Sequence, residues 1–446
     1  MTSHYKVNYH LRAHKRDSFI EFIKGLLLTP FVLHSLPAAD DNDDDNDNDN
    51  DNEEGRAAED GNTTIARRTS SADAAKLANA ARFREIFANI QTLVDEHRDF
   101  EASGIGGHSR LAKMVPAIGS FFTPLPLAAA FTRIDAKHRI SARKRVPPSF
   151  NDVRRTLNMA QLLAIAPRLQ LVTFDGDMTL YDDGKDFEDH SDLALLLVEL
   201  LRRGIAVAIV TAAGYGTDAS KYEGRLAGLL RALAAARLAP EAAARFYVLG
   251  GECNYLFGCS PDYRLVSLDE KHQLNPGEET ADDAGGLRSW SGIQVMQLLD
   301  VAEQELRACI ERMAIDARVI RKPRAVGIVP AEQLTREQLD ECALSAQEAV
   351  LRYQGTPRAQ PGSAPIPFCA FNGGSDCWVD IGNKLIGVRI IQNLVQSPAD
   401  ATLHVGDQFL STGNDLSTRS ACCTCWIINP LETRDMLDDL VSLLPK

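Results

Sequence analysis

Residues 171–184 read LVTFDGDMTLYDDG: an apolar run stops at Asp175, an aspartate recurs at Asp177, and Thr179 follows two residues later. A buried carboxylate is costly unless something pairs with it, so two at one strand end call for a cation or a working acid. Working outward, Pro147 and Pro148 precede a predicted helix at 151–165, and a strand is predicted at 169–174. Ser191 is a plausible N-cap for a second helix carrying Leu193, Leu196, Leu197, Leu200 and Leu201 on one stripe. The run GIAVAIVT at 204–211 then reads as a strand buried on both faces. Strand, crossover helix and strand make a βαβ unit. With further strands predicted at 246–249, 378–381, 403–405 and 426–428, the expected fold is a doubly wound, Rossmann-like α/β core. Such sheets place their sites at the carboxyl ends of the strands.

Four strand or loop ends hold polar residues: Asp175, Asp177 and Thr179; Thr211; Lys384 after VDIGN; and Asp407 within HVGDQFLSTGND at 404–415. Singly, each has a bland reading as turn residue, helix cap or solvated lysine. Jointly, in this order on an α/β core, they point to a site. About 170 residues separate Thr211 from Lys384, enough for an inserted domain.

The rest of the composition narrows the partners. The formal charge of −13 is concentrated in residues 40–54, DDNDDDNDNDNDNEE, and the remainder is nearly balanced. Nucleic acid is therefore not an expected partner, since phosphate neutralisation needs clustered Lys and Arg. The tract and its surroundings, about 37–71, are self-repelling and poor in apolar residues, and are expected to form a disordered insertion. Leu77, Ala81, Phe83, Ile86, Ile90 and Leu93 predict a long helix over 72–100, which with an amphipathic helix in the first 35 residues makes a helical N-terminal domain. No run reaches the roughly 18 apolar residues of a membrane span. The nine cysteines show no disulfide spacing, and Cys422 and Cys425 lack the second pair of a structural zinc site. A cytoplasmic protein is expected.

The four motifs resemble those of the haloacid dehalogenase-like phosphatases: VTFDGDMT, AIVT, GNK and GDQFLSTGND stand where that superfamily has Asp-x-Asp-x-Thr, a strand-end Thr, a Lys at a helix start, and Gly-Asp with a second acid. Met178 replaces the Gly common after the second Asp. In that chemistry Asp175 attacks phosphorus, and Asp177 is acid to the leaving alkoxide and then base towards water. Asp175 and Asp407, with a backbone carbonyl from Asp177, hold a hard cation; Thr211 bonds a phosphoryl oxygen and Lys384 supplies charge. Asp177 favours a phosphomonoester hydrolase or phosphomutase over an ATPase.

A longer resemblance runs almost end to end. HYKVNYHLRAHKRDSFIEFIKGLL, RKRVPPSFNDVRRTLNMAQ, TFDGDMTLYDDG, YVLGGECNYLF and DIGNKLIGV look like the IMP-specific 5′-nucleotidase family. The resemblance implies Mg2+-dependent hydrolysis of inosine 5′-monophosphate to inosine and phosphate. It implies a metal site of Asp175, Asp177 and Asp407, and nucleotide contacts from Asp177, Asp183, Thr211, Gly214, Asp376 and Lys384. It also implies an oligomer, a tetramer in form, that responds to ATP. KHRISARKRVPP, with Lys137, Arg139, Arg143, Lys144 and Arg145, is the candidate effector segment, Lys144 foremost; a solvated basic face is the alternative. The expected division is a helical N-terminal domain at 1–150, a catalytic core at 151–215 and 370–446, and a cap at 216–369. A phosphomutase or sugar phosphatase of the same superfamily, or a nucleotide-sensing protein without turnover, remains open at this point.

Overall fold

The computed structural model describes residues 17–35, 60–268, 292–356 and 365–445, without the side chains of 34–35 and 60–76. The acidic tract lies outside them. Residues 60–71, expected to be disordered, instead open the helix Asp60–Ala102. The chain divides into two units, Asp17–Ile118 with Pro124–Leu163, and Gly119–Thr123 with Ala164–Lys446.

The first unit is helical. Phe83, Phe87, Ile90 and Val94 recur at helical spacing and are buried, with Phe131 of the helix Leu127–His138 stacked on Phe87 at 5.0 Å between ring centroids. The stripe is rotated from the predicted one: Leu77 is 71% exposed, and Phe87 and Val94 are buried instead. The helix Ser18–Ser35 buries Phe19, Ile20, Ile23, Leu27 and Phe31 on one side.

The second unit holds two sheets. In chain order come β1 (Leu171–Phe174), β2 (Ala206–Val210), β3 (Phe246–Gly250), β4 (Tyr255–Cys259), β5 (Leu265–Ser267), β6 (Ala317–Lys322), β7 (Ala325–Pro330), β8 (Phe368–Asn372), β9 (Cys377–Ile381), β10 (Thr402–Gly406) and β11 (Cys423–Trp426). The larger sheet has the order β11-β10-β1-β2-β3-β4-β5. From β11 to β3 neighbouring strands are parallel, and β4 and β5 add an antiparallel edge. Every residue of β1, β2 and β10 is buried, which is why these strands read as unbroken apolar runs. Strand order reverses at β1, so the carboxyl ends of β1, β2 and β10 open on one crevice.

The smaller sheet, order β6-β7-β9-β8, is antiparallel throughout. Its helices, Gly292–Met313 and Arg336–Gln354, cover one face, where Cys377, Val379 and Ile381 of β9 join Leu298, Leu306, Leu339 and Ala346 in one apolar cluster. Trp378 and Asp380 alternate onto the other face. Two expectations need correction here. The strand predicted at 378–381 pairs with β7 and β8 and belongs to the smaller sheet, because its alternating pattern suits a sheet covered on one face. The limits expected for the cap, 216–369, miss both sheets: β3, β4 and β5 extend the larger one, while β9 lies beyond position 369.

Candidate active site

Asp175 follows β1 directly, its amide donating to the Val405 carbonyl of β10 at 2.9 Å. Its Oδ1 accepts from the Gly176 amide at 2.7 Å and from Lys384 Nζ at 2.8 Å. Those contacts share one oxygen and leave Oδ2 for chemistry. A Cβ on Gly176 would lie 2.3 Å from the Tyr181 hydroxyl oxygen and 3.2 Å from Thr211 Oγ1, so any larger residue there would have to displace the Tyr181 side chain. Met178, where glycine is common in the motif, has φ of 56°, the left-handed conformation glycine would adopt freely.

Lys384 opens the helix Lys384–Val395, whose N-cap Asn383 accepts from the Ile386 amide at 3.0 Å. Its ammonium is fully buried and its three protons are all used: Asp175 Oδ1 at 2.8 Å, Asp415 Oδ1 at 2.7 Å and Asn414 Oδ1 at 2.9 Å. Burial alone would drive the ammonium to give up its proton, but Asp175, Asp415 and Glu252 around it reverse that and raise its pKa. Burial works on Asp415 too, yet Lys384 and His404 outweigh it and hold the carboxyl below its ordinary range. His404 Nε2 lies 3.1 Å from Asp415 Oδ1 and its Nδ1 lies 2.8 Å from Thr173 Oγ1. Burial lowers the pKa of the ring, so a neutral imidazole donating to Asp415 and accepting from Thr173 satisfies both atoms.

Asp177 points differently. Its Oδ1 accepts from Arg225 Nη2 at 2.6 Å and from the Gly184 amide at 3.1 Å. Thr211 follows β2 and its Oγ1 accepts from the Ala213 amide at 3.1 Å. Asp175, Asp177, Asp183, Thr211, Gly214 and Asp376 line one cleft of about 430 Å3. The helix-free face of the smaller sheet supplies its far wall through Phe371, Trp378, Asp380 and Lys322, the last with its ammonium 4.2 Å from the Trp378 ring centroid. Lys144, expected to bind an effector, is exposed in the helical unit.

A family model described as IMP-specific 5′-nucleotidase matches residues 1–437. The chain belongs to the IMP-specific 5′-nucleotidase family. An IMP-specific 5′-nucleotidase 1 of Neurospora crassa is 41% identical over 464 residues, covering 100% of this chain and 99% of its own. Among solved structures, an IMP-bound variant of Plasmodium falciparum IMP-nucleotidase aligns with TM-score 0.76 at 31% identity, over 96% of this chain and 94% of that one. The ATP-bound form of the same parasite's protein aligns with TM-score 0.72 at 32% identity, over 96% and 85%. The chain is thus one of a family of phosphomonoester hydrolases.

Within this IMP-specific 5′-nucleotidase fold, Asp175, Asp407 and Asp415 each bring a carboxylate oxygen within 4.8 Å of the others. All donors are hard oxygens, as Mg2+ prefers. The electrostatics fit as well: burial, reinforced by Asp415 and Asp407, pushes the Asp175 carboxyl well above its ordinary range in spite of Lys384, a strain that a divalent cation between the three would relieve. The Oδ1 of Asp177 is taken by Arg225, in keeping with the main-chain carbonyl as the atom this residue would offer a cation. Asp415, the second acid of GDQFLSTGND, is the third carboxylate of this cluster, its Oδ1 bonded to Lys384 and its Oδ2 accepting from the Gln408 amide at 2.8 Å. Arg225 and Glu252 carry no motif signal, lying at no recognisable spacing from Asp175, whereas Asn414 stands beside Asp415 within the same motif.

Proposed function

We propose that the chain hydrolyses IMP to inosine and phosphate through a covalent intermediate on Asp175. The observation that carries this reading is the buried Lys384 ammonium bound to Asp175 and Asp415 beneath a cleft lined by Asp177 and Thr211. Asp175 Oδ2 forms a bond to phosphorus as the bond from phosphorus to the ribose O5′ breaks, and Asp177 delivers its proton to that oxygen. Asp177 then takes a proton from water as the water attacks phosphorus, releasing phosphate and restoring the Asp175 carboxylate. Lys384 holds the nucleophile by Oδ1 throughout, and Thr211 donates to a phosphoryl oxygen. Asp175, Asp407 and Asp415 would hold Mg2+, whose charge offsets the repulsion between an incoming carboxylate and the anionic phosphoryl group.

In the same reading, the smaller sheet with its two helices is the cap that selects the nucleotide, Asp183, Gly214 and Asp376 contact it, and the helical unit is regulatory. ATP acts at the exposed Lys144 in a tetramer. One basic neighbour is already committed, since Arg143 pairs with Asp152 at 2.6 Å. All nine cysteines are free thiols, in keeping with a reducing, cytoplasmic setting.

The test is phosphate release from a panel of nucleoside and sugar monophosphates with Mg2+. IMP turnover that exceeds all others and is abolished by Asp175→Asn supports the proposal. Rapid release from a hexose phosphate and none from IMP overturns it. Lys144→Ala should remove the response to ATP and leave basal turnover unchanged.

A further inference from the structure

Glu252 is 0% exposed and belongs to none of the four motifs. It sits in the turn between β3 and β4 with φ of 50°, followed by Cys253 at 70°; two consecutive non-glycine residues in the left-handed region are a strained choice for a mere connection. Contacts on both sides hold the turn in place. The Glu252 amide donates to the Thr211 carbonyl at 3.2 Å and the Gly251 amide to the Ala213 carbonyl at 3.0 Å. Cys253 Sγ donates to the Asn383 carbonyl at 3.1 Å, and Asn254 Nδ2 to the Ile381 carbonyl at 2.6 Å. A Cβ on Gly382 would lie 2.4 Å from the Glu252 carbonyl oxygen, so the Lys384 turn approaches this backbone directly.

What such a clamp does not require is a buried carboxyl. Glu252 Oε1 accepts from Asn414 Nδ2 at 2.8 Å, and Oε2 has no hydrogen-bond partner among the described residues. Asn414 in turn offers Oδ1 to Lys384 Nζ at 2.9 Å, and Lys384 reaches Asp175. An amide has one oxygen and one NH2 end, and only one orientation suits an ammonium. With Glu252 demanding the NH2 end, the oxygen end must face Lys384; turned over, the amide would set N–H against N–H and leave the ammonium a bond short.

We propose that Glu252 is a positioning residue: by fixing the orientation of Asn414 it keeps the Lys384 ammonium aimed at Asp175. The inference rests on the catalytic roles proposed for Asp175 and Lys384. Glutamate suits the place better than an apolar residue because only an acceptor orders the amide, and groups that orient a reacting residue from behind typically matter by about 10- to 100-fold.

The experiment compares Glu252→Ala, Glu252→Gln, Asn414→Ala and the double Ala variant for kcat, KM and thermal midpoint, with IMP and with p-nitrophenyl phosphate. E252A and N414A should each lower kcat about 10- to 100-fold with KM within about twofold, and the double variant should lose no more than either single one. E252Q, whose amide oxygen accepts the same bond, should stay within about threefold of wild type. Folded E252A at wild-type kcat, additive losses in the double variant, or an E252Q as impaired as E252A would overturn the proposal. Should E252A not fold, N414A cuts the same link from the other end without touching residues 251–254, and N414A at wild-type kcat overturns it equally. A wild-type protein that turns over p-nitrophenyl phosphate but not IMP would refute the substrate reading alone, since the Glu252 effect is measured on either ester.

Discussion

Arg225 Nη2 stands 2.6 Å from Asp177 Oδ1, the one charged partner of that carboxylate among the described residues. The guanidinium also reaches Asp186 at 3.5 Å and lies 4.8 Å from the Tyr181 ring centroid. A planar fork can satisfy those three directions together, and a lysine cannot. Arg225→Lys should therefore lower kcat/KM for IMP about 10- to 100-fold although charge is conserved, because the acid is no longer held in line. Steady-state kinetics check this; an R225K protein within twofold of wild type would remove Arg225 from the site.

Replacing Lys384 tests the centre of the cluster. Lys384→Met leaves Asp175 and Asp415 facing each other in a buried place, a loss typically of about 3–5 kcal/mol. Phosphate release should drop by about 100- to 1,000-fold. The thermal midpoint should fall without Mg2+ and rise more steeply than that of wild type as Mg2+ is added. A midpoint indifferent to Mg2+ in both proteins would count against a cation among Asp175, Asp407 and Asp415.

Gly176 offers a steric prediction. The added methyl of Gly176→Ala would overlap the Tyr181 hydroxyl, so the variant should lose roughly 1–3 kcal/mol and most of its turnover. Tyr181→Phe removes the nearest atom in the way, leaving the ring carbon at 3.0 Å, and the double variant should recover part of the stability. Calorimetry of the four proteins decides it; equal destabilisation with and without the hydroxyl would locate the conflict elsewhere.

Met178 is held at φ 56°, a conformation that costs a non-glycine residue about 1 kcal/mol or more. Met178→Gly should raise the unfolding free energy by roughly 0.5–1 kcal/mol, offset in part by the greater freedom of the unfolded chain. Denaturant titration reads the difference. A destabilised variant would mean that the Met178 side chain contributes more than its backbone loses.

Acid stability should report on the helical unit. Asp152 takes two bonds from Arg143, at 2.6 and 3.0 Å, and the Ser149 amide at 2.8 Å. Burial opposes its ionisation, but Arg143 and Ser149 outweigh it and the folded carboxyl titrates below its ordinary value. A depressed folded pKa contributes stability that is fully present above the unfolded carboxylate value near 4 and is lost as pH falls through the folded value. Asp152→Asn should cost about 2 kcal/mol at neutral pH and flatten the fall in melting temperature below pH 4. An unchanged acid limb would show that other carboxylates govern it.

Much of the site was legible because its first residues are local. Asp175, Asp177 and Thr179 lie within five positions, and β2 reads as a strand because all of its residues are buried. Glu252 and Arg225 were not, because one stands in the turn after β3 and the other ends the helix Ala219–Arg225, and a single sequence carries no distances between such elements; Asn414 lies inside GDQFLSTGND, where its neighbour Asp415 draws the attention. The stretch 378–381 is expected in the core sheet, yet the alternation along β9 marks a sheet with one face open.

The alternation along β9 also bears on how selectivity could drift in this lineage. Cys377, Val379 and Ile381 keep the smaller sheet attached to its helices, whereas Trp378 and Asp380 look into the cleft. Successive positions of one short strand thus serve different ends: on the reading proposed above, replacing the even-numbered side chains would retune which nucleotide is accepted while the odd-numbered ones preserve the scaffold. A library randomised at 378 and 380 alone would sample new substrates with little loss of folded protein, an economy that a loop-built wall does not offer.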